Sequence, residues 1–323
     1  MCGRGALSLS GERCQRIAGG ANGKKTRLRG AERLRTKYNL GPMNYVPVVR
    51  SVEACEKAAL PEREVCAMRW GLVPSFAKNA EDFDAFKGGS STFNARVEGV
   101  DSSNLWRRLI DKRRCVVLFD GFYEWKAHGQ AKMPMFIRNR DEYDGHTIPW
   151  DADPGEEDGR MDEPADGKPP TGPCHAPLML AGLYDIWQGT QDALESVTIL
   201  TMDPEHTAME KVHDRMPVFL TPKTAATWLD LTLPFNQIIR SVLKVSQAHA
   251  QSDLLLYEVS TLVSNIRNES PDCILPKKEY DAKQLSKGIG RFFKPVTKRE
   301  DASKKRDLEV QDEDREAKTI KLD

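Results

Sequence analysis

The chain opens MCGR, and loss of Met1, which is readily removed ahead of a small residue, would leave Cys2 with a free α-amine beside its thiol. Unperturbed, those groups titrate near about 7.7–8.0 and 8.5, so each is partly nucleophilic at neutral pH. The amine can condense with an aldehyde, and the thiol can then close onto the imine. A small residue behind Met1 is also commonplace, so the position alone leaves chemistry and accident open. Three more polar residues sit in apolar or aromatic runs: Asn94 in STFNARVEG, Glu124 in DGFYEWK and His213 in EKVHDRMPVF. A carboxylate against an aromatic wall can be raised in pKa until it serves as an acid. A histidine between a helix and a strand can move protons near pH 7. Taken singly, Asn94 also fits a turn or cap, Glu124 a solvated strand face and His213 a structural role. Linear order does not show whether the three meet at Cys2.

The elements that must position these residues are mostly strands. CVVLFDGFYEW reads as two strands about an Asp120-Gly121 turn, a hairpin signal. In the second of them Tyr123 and Trp125 fall on the face opposite Glu124. APLMLAGLYDIW, SVTILTM and LLLYEVS read as buried strands. Helices are expected at about 102–113, with Leu105, Trp106, Leu109 and Ile110 on one face, and after the Asp203-Pro204-Glu205 cap. Two more are expected after Thr221-Pro222 and over PFNQIIRSVLKV. Consecutive strands with short intervening helices argue α+β, with mainly antiparallel sheets, rather than alternating βαβ units. There is no glycine-rich phosphate loop and no internal repeat.

Of the 323 residues, 1–138 and 177–270 read as folded. Net charge is zero overall, but residues 1–138 carry 25 Lys+Arg against 14 Asp+Glu, or +11, and residues 139–176 carry 3 against 11, or −8. A basic half of this kind suits a polyanion such as nucleic acid, and equally a solvated surface. The 139–176 stretch is rich in Pro, Gly and acid and nearly without aliphatics, so an unstructured insertion is expected. The lysine-rich chain from about 276 onward reads the same way. Seven cysteines, none in CxxC spacing, argue against a disulfide framework or a zinc ribbon and for a reducing compartment. No run approaches the roughly 20 apolar residues of a membrane span, and no signal-peptide core is expected.

In order, MCGR, RWGLVPSF, FNARVEG, RRCVVLFDGFYEWK, LAGLYDIW, TILTMDP and VHDRMPVFL closely resemble the SOS-response-associated peptidase (SRAP) family. The resemblance covers about 1–75, 90–138 and 177–270. It implies a single domain over 1–270 with an open barrel-like core and short flanking helices. It also implies a monomeric sensor of abasic sites in single-stranded DNA, with no metal or other cofactor. On that resemblance Met1 is removed by self-processing, and the Cys2 amine forms a Schiff base with the abasic aldehyde, which its thiol closes to a thiazolidine. Asn94 then positions Cys2 and the sugar, Glu124 relays protons, and His213 assists ring-opening and reversal. Arg4, Arg96 and Arg215 resemble phosphate-contacting arginines. Trp70 and Phe93 offer stacking faces, with core packing the competing reading for Trp70. Phe76 stands where the family often has tryptophan. The basic segment 24–37 is either a DNA-approach loop or a solvated face. Two rival readings are an N-terminal-nucleophile peptidase acting on other proteins and a non-catalytic reader of modified or single-stranded DNA.

The tail, 271–323, carries its own signal. In SKGIGRFFKP, Ile289 with Phe292 and Phe293 resembles the single-turn box that docks on the sliding clamp PCNA, with Ser286 at the usual glutamine position. KPVTKR and KKR suit a nuclear localisation signal.

Overall fold

The computed structural model describes residues 3–19, 26–52, 63–84, 91–140, 176–189 and 193–292. Cys2, Phe293 and nearly all of the acidic stretch lie outside the described residues. The chain first forms β1 (Gly5–Leu7), α1 (Gly11–Gly19), β2 (Arg27–Arg29), β3 (Lys37–Leu40), β4 (Tyr45–Ser51), β5 (Arg63–Trp70) and β6 (Asn94–Arg96). Next come β7 (Arg114–Phe119), β8 (Gly121–His128), β9 (Ala131–Asn139), β10 (Leu178–Gln188) and β11 (Ala193–Met202). The remainder forms β12 (Met216–Pro217), β13 (Phe219–Leu220), α2 (Pro222–Leu229), α3 (Phe235–Ser252), β14 (Leu254–Glu258) and α4 (Lys277–Phe292).

β11, β10, β7, β4 and β5 lie side by side in antiparallel pairs. A parallel pairing of β5 with β11, Arg69 opposite Ser196 and Trp70 opposite Val197, joins the two ends. The α+β, mainly antiparallel barrel expected from the sequence is therefore present, and its ring is closed. A barrel this small is filled by its own side chains. β7 is buried at all six positions, as its unbroken apolar run requires. A second sheet, in the order β14-β9-β8-β1-β3, carries the N-terminal strand and Glu124.

Five expectations are corrected. Asp120-Gly121 is not a hairpin turn: β7 belongs to the barrel and β8 to the other sheet, so the chain passes between sheets at this point. A Cβ on Gly121 would lie 2.4 Å from the Phe136 ring and 2.6 Å from the Ile137 carbonyl, so glycine serves close approach rather than turning. The turn that does form is β8–β9, with Gly129 at φ +60°. Residues 102–113 form successive turns, with Trp106 N–H to Ser103 O and Leu109 N–H to Trp106 O, which bury Leu109 and Ile110 without an α-helix. After Asp203-Pro204-Glu205 the left-handed His206 (φ 63°) interrupts the chain, and only a short 3-10 turn follows, Ala208–Lys211. Finally, the folded part runs past 270: Cys273 is buried with Ala6, Tyr123 and Phe136, the Tyr257 hydroxyl donates to Ile274 O at 2.8 Å, and Val259 bridges Pro276. The first unit of the chain ends at Tyr280. In the second, residues 281–292 are helical, against the expectation of an unstructured tail from 276.

Candidate active site

β1 is held against β8 with Gly5 opposite Phe122 and Ala6 opposite Gly121, and Tyr123 N–H donates to Arg4 O at 2.9 Å. Extending that register by two residues sets Gly3 opposite Glu124. Glu124 is buried, on a strand whose first four residues are all buried. The other two polar residues arrive from the barrel. β11 pairs in parallel with β6, so Asn94 lies opposite Ile199 and Arg96 opposite Thr201. The same strand end pairs with β12, Thr201 opposite Pro217, which fixes the segment carrying His213 and Arg215.

His213 Nε2 lies 3.9 Å from Glu124 Oε2, so the two sheets meet at an imidazole and a carboxylate. That separation allows a proton to pass after a small closure or through one water. At the other ring nitrogen two partners compete. Arg215 N–H donates to His213 Nδ1 at 3.0 Å, and Asp214 Oδ1 stands 2.7 Å from the same atom. Nδ1 cannot accept from an amide and donate to a carboxylate at once. In the neutral Nε2–H tautomer Nδ1 accepts the hydrogen bond of the Arg215 amide and Nε2 carries the hydrogen that faces Glu124. In the imidazolium Nδ1 turns its hydrogen to Asp214. His213 thus has a hydrogen-bonding arrangement for each protonation state.

Arg215 is buried and forms a fork with Glu98, at 2.9 and 2.8 Å, while Nη2 also donates to Thr201 O at 2.7 Å. Burial, the largest single influence, pushes the Glu98 carboxyl up, but the Arg215 hydrogen bonds and charge together with backbone N–H donors outweigh it and hold the group below its usual value. Arg4 is similarly tied into the fold. Its Nη1 donates to Asn39 Oδ1 at 2.8 Å and Val263 O at 3.0 Å, and its guanidinium lies over the Trp125 ring. Of the three arginines, Arg96 is the exposed one.

The stacking expectation for Trp70 is corrected. It is 0% exposed, donates Nε1–H to Phe93 O at 2.9 Å, and packs edge-on against Phe93 and Phe119. It supports Phe93 and β6 from beneath and offers no face to a base. Phe93 is partly buried on the core. Phe76, whose stacking role the sequence left in doubt, is 62% exposed with the Arg108 guanidinium 4.9 Å from its ring centroid. Ile289 and Phe292 fall in the last turn of α4. Glu98 and Asp214 were missed in the sequence, although each stands beside a motif arginine, in NARVEG and HDRMP. Among the described residues no group of three or more His, Cys, Asp or Glu is placed to hold a metal.

Buried Cys14 and Cys66 have thiols pushed up to about 12, chiefly by burial, and Cys273 to about 11. Cys115, fully buried, is also pushed up. These four thiols are protonated and inert at neutral pH.

The chain is 32% identical over 311 residues to the abasic site processing protein HMCES of Gallus gallus, covering 91% of this chain and 84% of that one. It is 30% identical over 286 residues to the protein of the same name from Xenopus tropicalis, covering 85% and 78%. A solved structure of a protein from Bacteroides thetaiotaomicron shares the fold, with a TM-score of 0.58 and 19% identity over 85% of this chain and 99% of that one. The sequence profile described as SOS response associated peptidase (SRAP) matches residues 1–266, the stretch that holds β1, Asn94, Glu124 and His213. The strand that follows Cys2, and the polar residues the two sheets bring toward it, are thus those of a member of the SRAP family, to which this chain belongs.

Proposed function

We propose that the protein processes abasic sites in single-stranded DNA by forming a covalent crosslink through Cys2. The observation that carries this reading is buried Glu124 with His213 Nε2 3.9 Å from its Oε2, on a strand paired with β1 in a register that, continued past Gly5, runs the N-terminal residues toward Glu124. An acid–base pair then stands beside the residue next to the nucleophile. The names of the Gallus and Xenopus relatives supply the substrate class.

Removal of Met1 converts the amide nitrogen of Cys2 into an amine, without which no imine can form. The amine adds to the aldehyde carbon of the ring-opened sugar, giving a carbinolamine. Glu124 donates a proton to the departing hydroxyl, which leaves as water, and the C=N bond forms. The Cys2 sulfur then adds to that carbon while the nitrogen takes up a proton, closing the thiazolidine. One water is lost overall, and the step needs no oxidant or reductant. His213, with one partner for each protonation state, opens the sugar ring and returns the proton during reversal. Asn94 positions Cys2 and the sugar, and Arg96 meets a phosphate.

The reading extends to a nuclear place of action and to clamp docking by Ile289, Phe292 and Phe293. Its test is single-turnover crosslinking of an abasic oligonucleotide. Glu124→Ala should slow formation by about 10²–10⁴-fold with an unchanged melting profile. Wild-type kinetics in that variant would return Glu124 to a structural role.

A further inference from the structure

We propose a second anion site, lined by Arg33, Arg35 and Lys37, that binds a backbone phosphate of the same DNA strand outside the reacting nucleotide; the choice of DNA rests on the function proposed above. The three cations line one cavity of about 120 Å³ together with Leu40, Met43 and Tyr45. Arg33 ends a 3-10 turn, Ala31–Arg33, and Lys37 opens β3, so the three cations follow the chain that leads into the strand.

Among the described residues no carboxylate lines this cavity. Two touch its cations from outside. Glu32 is 3.7 Å from Arg33 in an exposed pair that contributes little, and Glu269 is 2.8 Å from Lys37. Arg35 has no carboxylate partner within 4 Å among the described residues, so three cations against two carboxylates leave the cluster at +1. The Arg33 guanidinium lies 5.2 Å from the Tyr45 ring centroid, a cation–π contact that helps hold the flat cation in place. The wall residue Met43 is left-handed (φ 70°), rare for a side chain of its size, and is held there by its N–H to Trp70 O at 2.7 Å. Strain of this kind is kept where a wall must have a fixed shape.

The cavity follows the strand that lies beside the N-terminus. Leu40 is opposite Gly5 and Lys37 opposite Leu7, so the cations begin about 10 Å along β3 from the position opposite Gly5. A single strand leaving the abasic nucleotide in this direction would pass over them. Glu269, bound to Lys37, would be the group that the phosphate displaces.

The test measures anisotropy of an undamaged single-stranded oligonucleotide against salt, for the wild type and for an Arg33→Gln, Arg35→Gln, Lys37→Gln triple variant. Losing the one phosphate contact should flatten the log–log slope of the triple variant by about 0.7. Glu269→Gln should tighten binding by freeing Lys37. Melting is followed in parallel, and single variants replace the triple if it is destabilised. Coincident slopes for wild type and variants, with crosslinking to abasic DNA intact, would overturn the site. A flattened slope in a protein that forms no crosslink would keep the site and overturn the function above. Inorganic phosphate is titrated separately. Its binding with the same variant sensitivity, but without any slope change on DNA, would make this a free-phosphate site and overturn the strand assignment.

Discussion

Glu98→Ala would cut the fork that holds Arg215. The lost pair is two charge-assisted hydrogen bonds at 2.9 and 2.8 Å, each contributing about 1.5–3 kcal/mol in favourable settings. The Glu98 side chain is 53% exposed, so screening reduces the total, while Arg215 at 10% keeps its Thr201 carbonyl but loses its counter-charge. A net cost of about 1–3 kcal/mol follows. At about 2–4 °C per kcal/mol the melting temperature should fall by roughly 2–12 °C. The pH dependence has a definite sign. Arg215 holds the Glu98 carboxyl below its unfolded value, so the contribution is complete above about pH 4.3 and disappears as pH falls through the folded pKa. The gap between wild type and variant should therefore be open at pH 7 and close in acid. Crosslinking should slow as well, because the Arg215 amide carries His213 Nδ1. Calorimetric melts from pH 3 to 7 decide the first part and single-turnover kinetics the second. Equal melting at pH 7, or a gap that survives in acid, would refute the latch; an unchanged rate would refute its hold on His213.

Trp70→Phe should cost about 1–3 kcal/mol, from the lost hydrogen bond to Phe93 O and the smaller ring, with no change in the salt slope of DNA binding; a changed slope would return Trp70 to the DNA face. Brief alkylation of the native protein at neutral pH should modify Cys2 and spare Cys14, Cys66, Cys115 and Cys273, read by peptide mass spectrometry; labelling of those four at the rate of Cys2 would contradict their burial. Phe292→Ala with Phe293→Ala should abolish clamp binding in a calorimetric titration and leave crosslinking unchanged. Binding that persists without both rings would mean the wrong anchor.

Where local chemistry decides structure, the sequence was legible. Thr221-Pro222 does cap α2, with the Thr221–Thr224 capping box in place, and LLLYEVS does supply β14. It misled where a local signal served a distant contact. Asp120 accepts the Ser8 amide and Gly121 makes room for Phe136, so a turn-like pair marks a passage between sheets. The stripe at Leu105, Trp106, Leu109 and Ile110 has helical spacing, yet three-residue turns bury part of it just as well. The site residues were named by motif, but their meeting was not legible. Asn94 and the segment that carries His213 are each fixed on one strand end, by the pairings of β11 with β6 and with β12, over a separation of more than a hundred residues. No periodicity reports such a pairing. Trp70 shows the converse: a tryptophan in a motif suggested stacking, and only the closed ring of β5 with β11 accounts for its burial.

The central claim is tested most directly by intact mass spectrometry of the protein after incubation with an abasic single-stranded oligonucleotide. The account predicts a species equal to the chain without Met1 plus the aldehyde-bearing strand minus one water, with the attachment on Cys2. A protein that keeps Met1 and still crosslinks, or an adduct that maps to another residue, would contradict it.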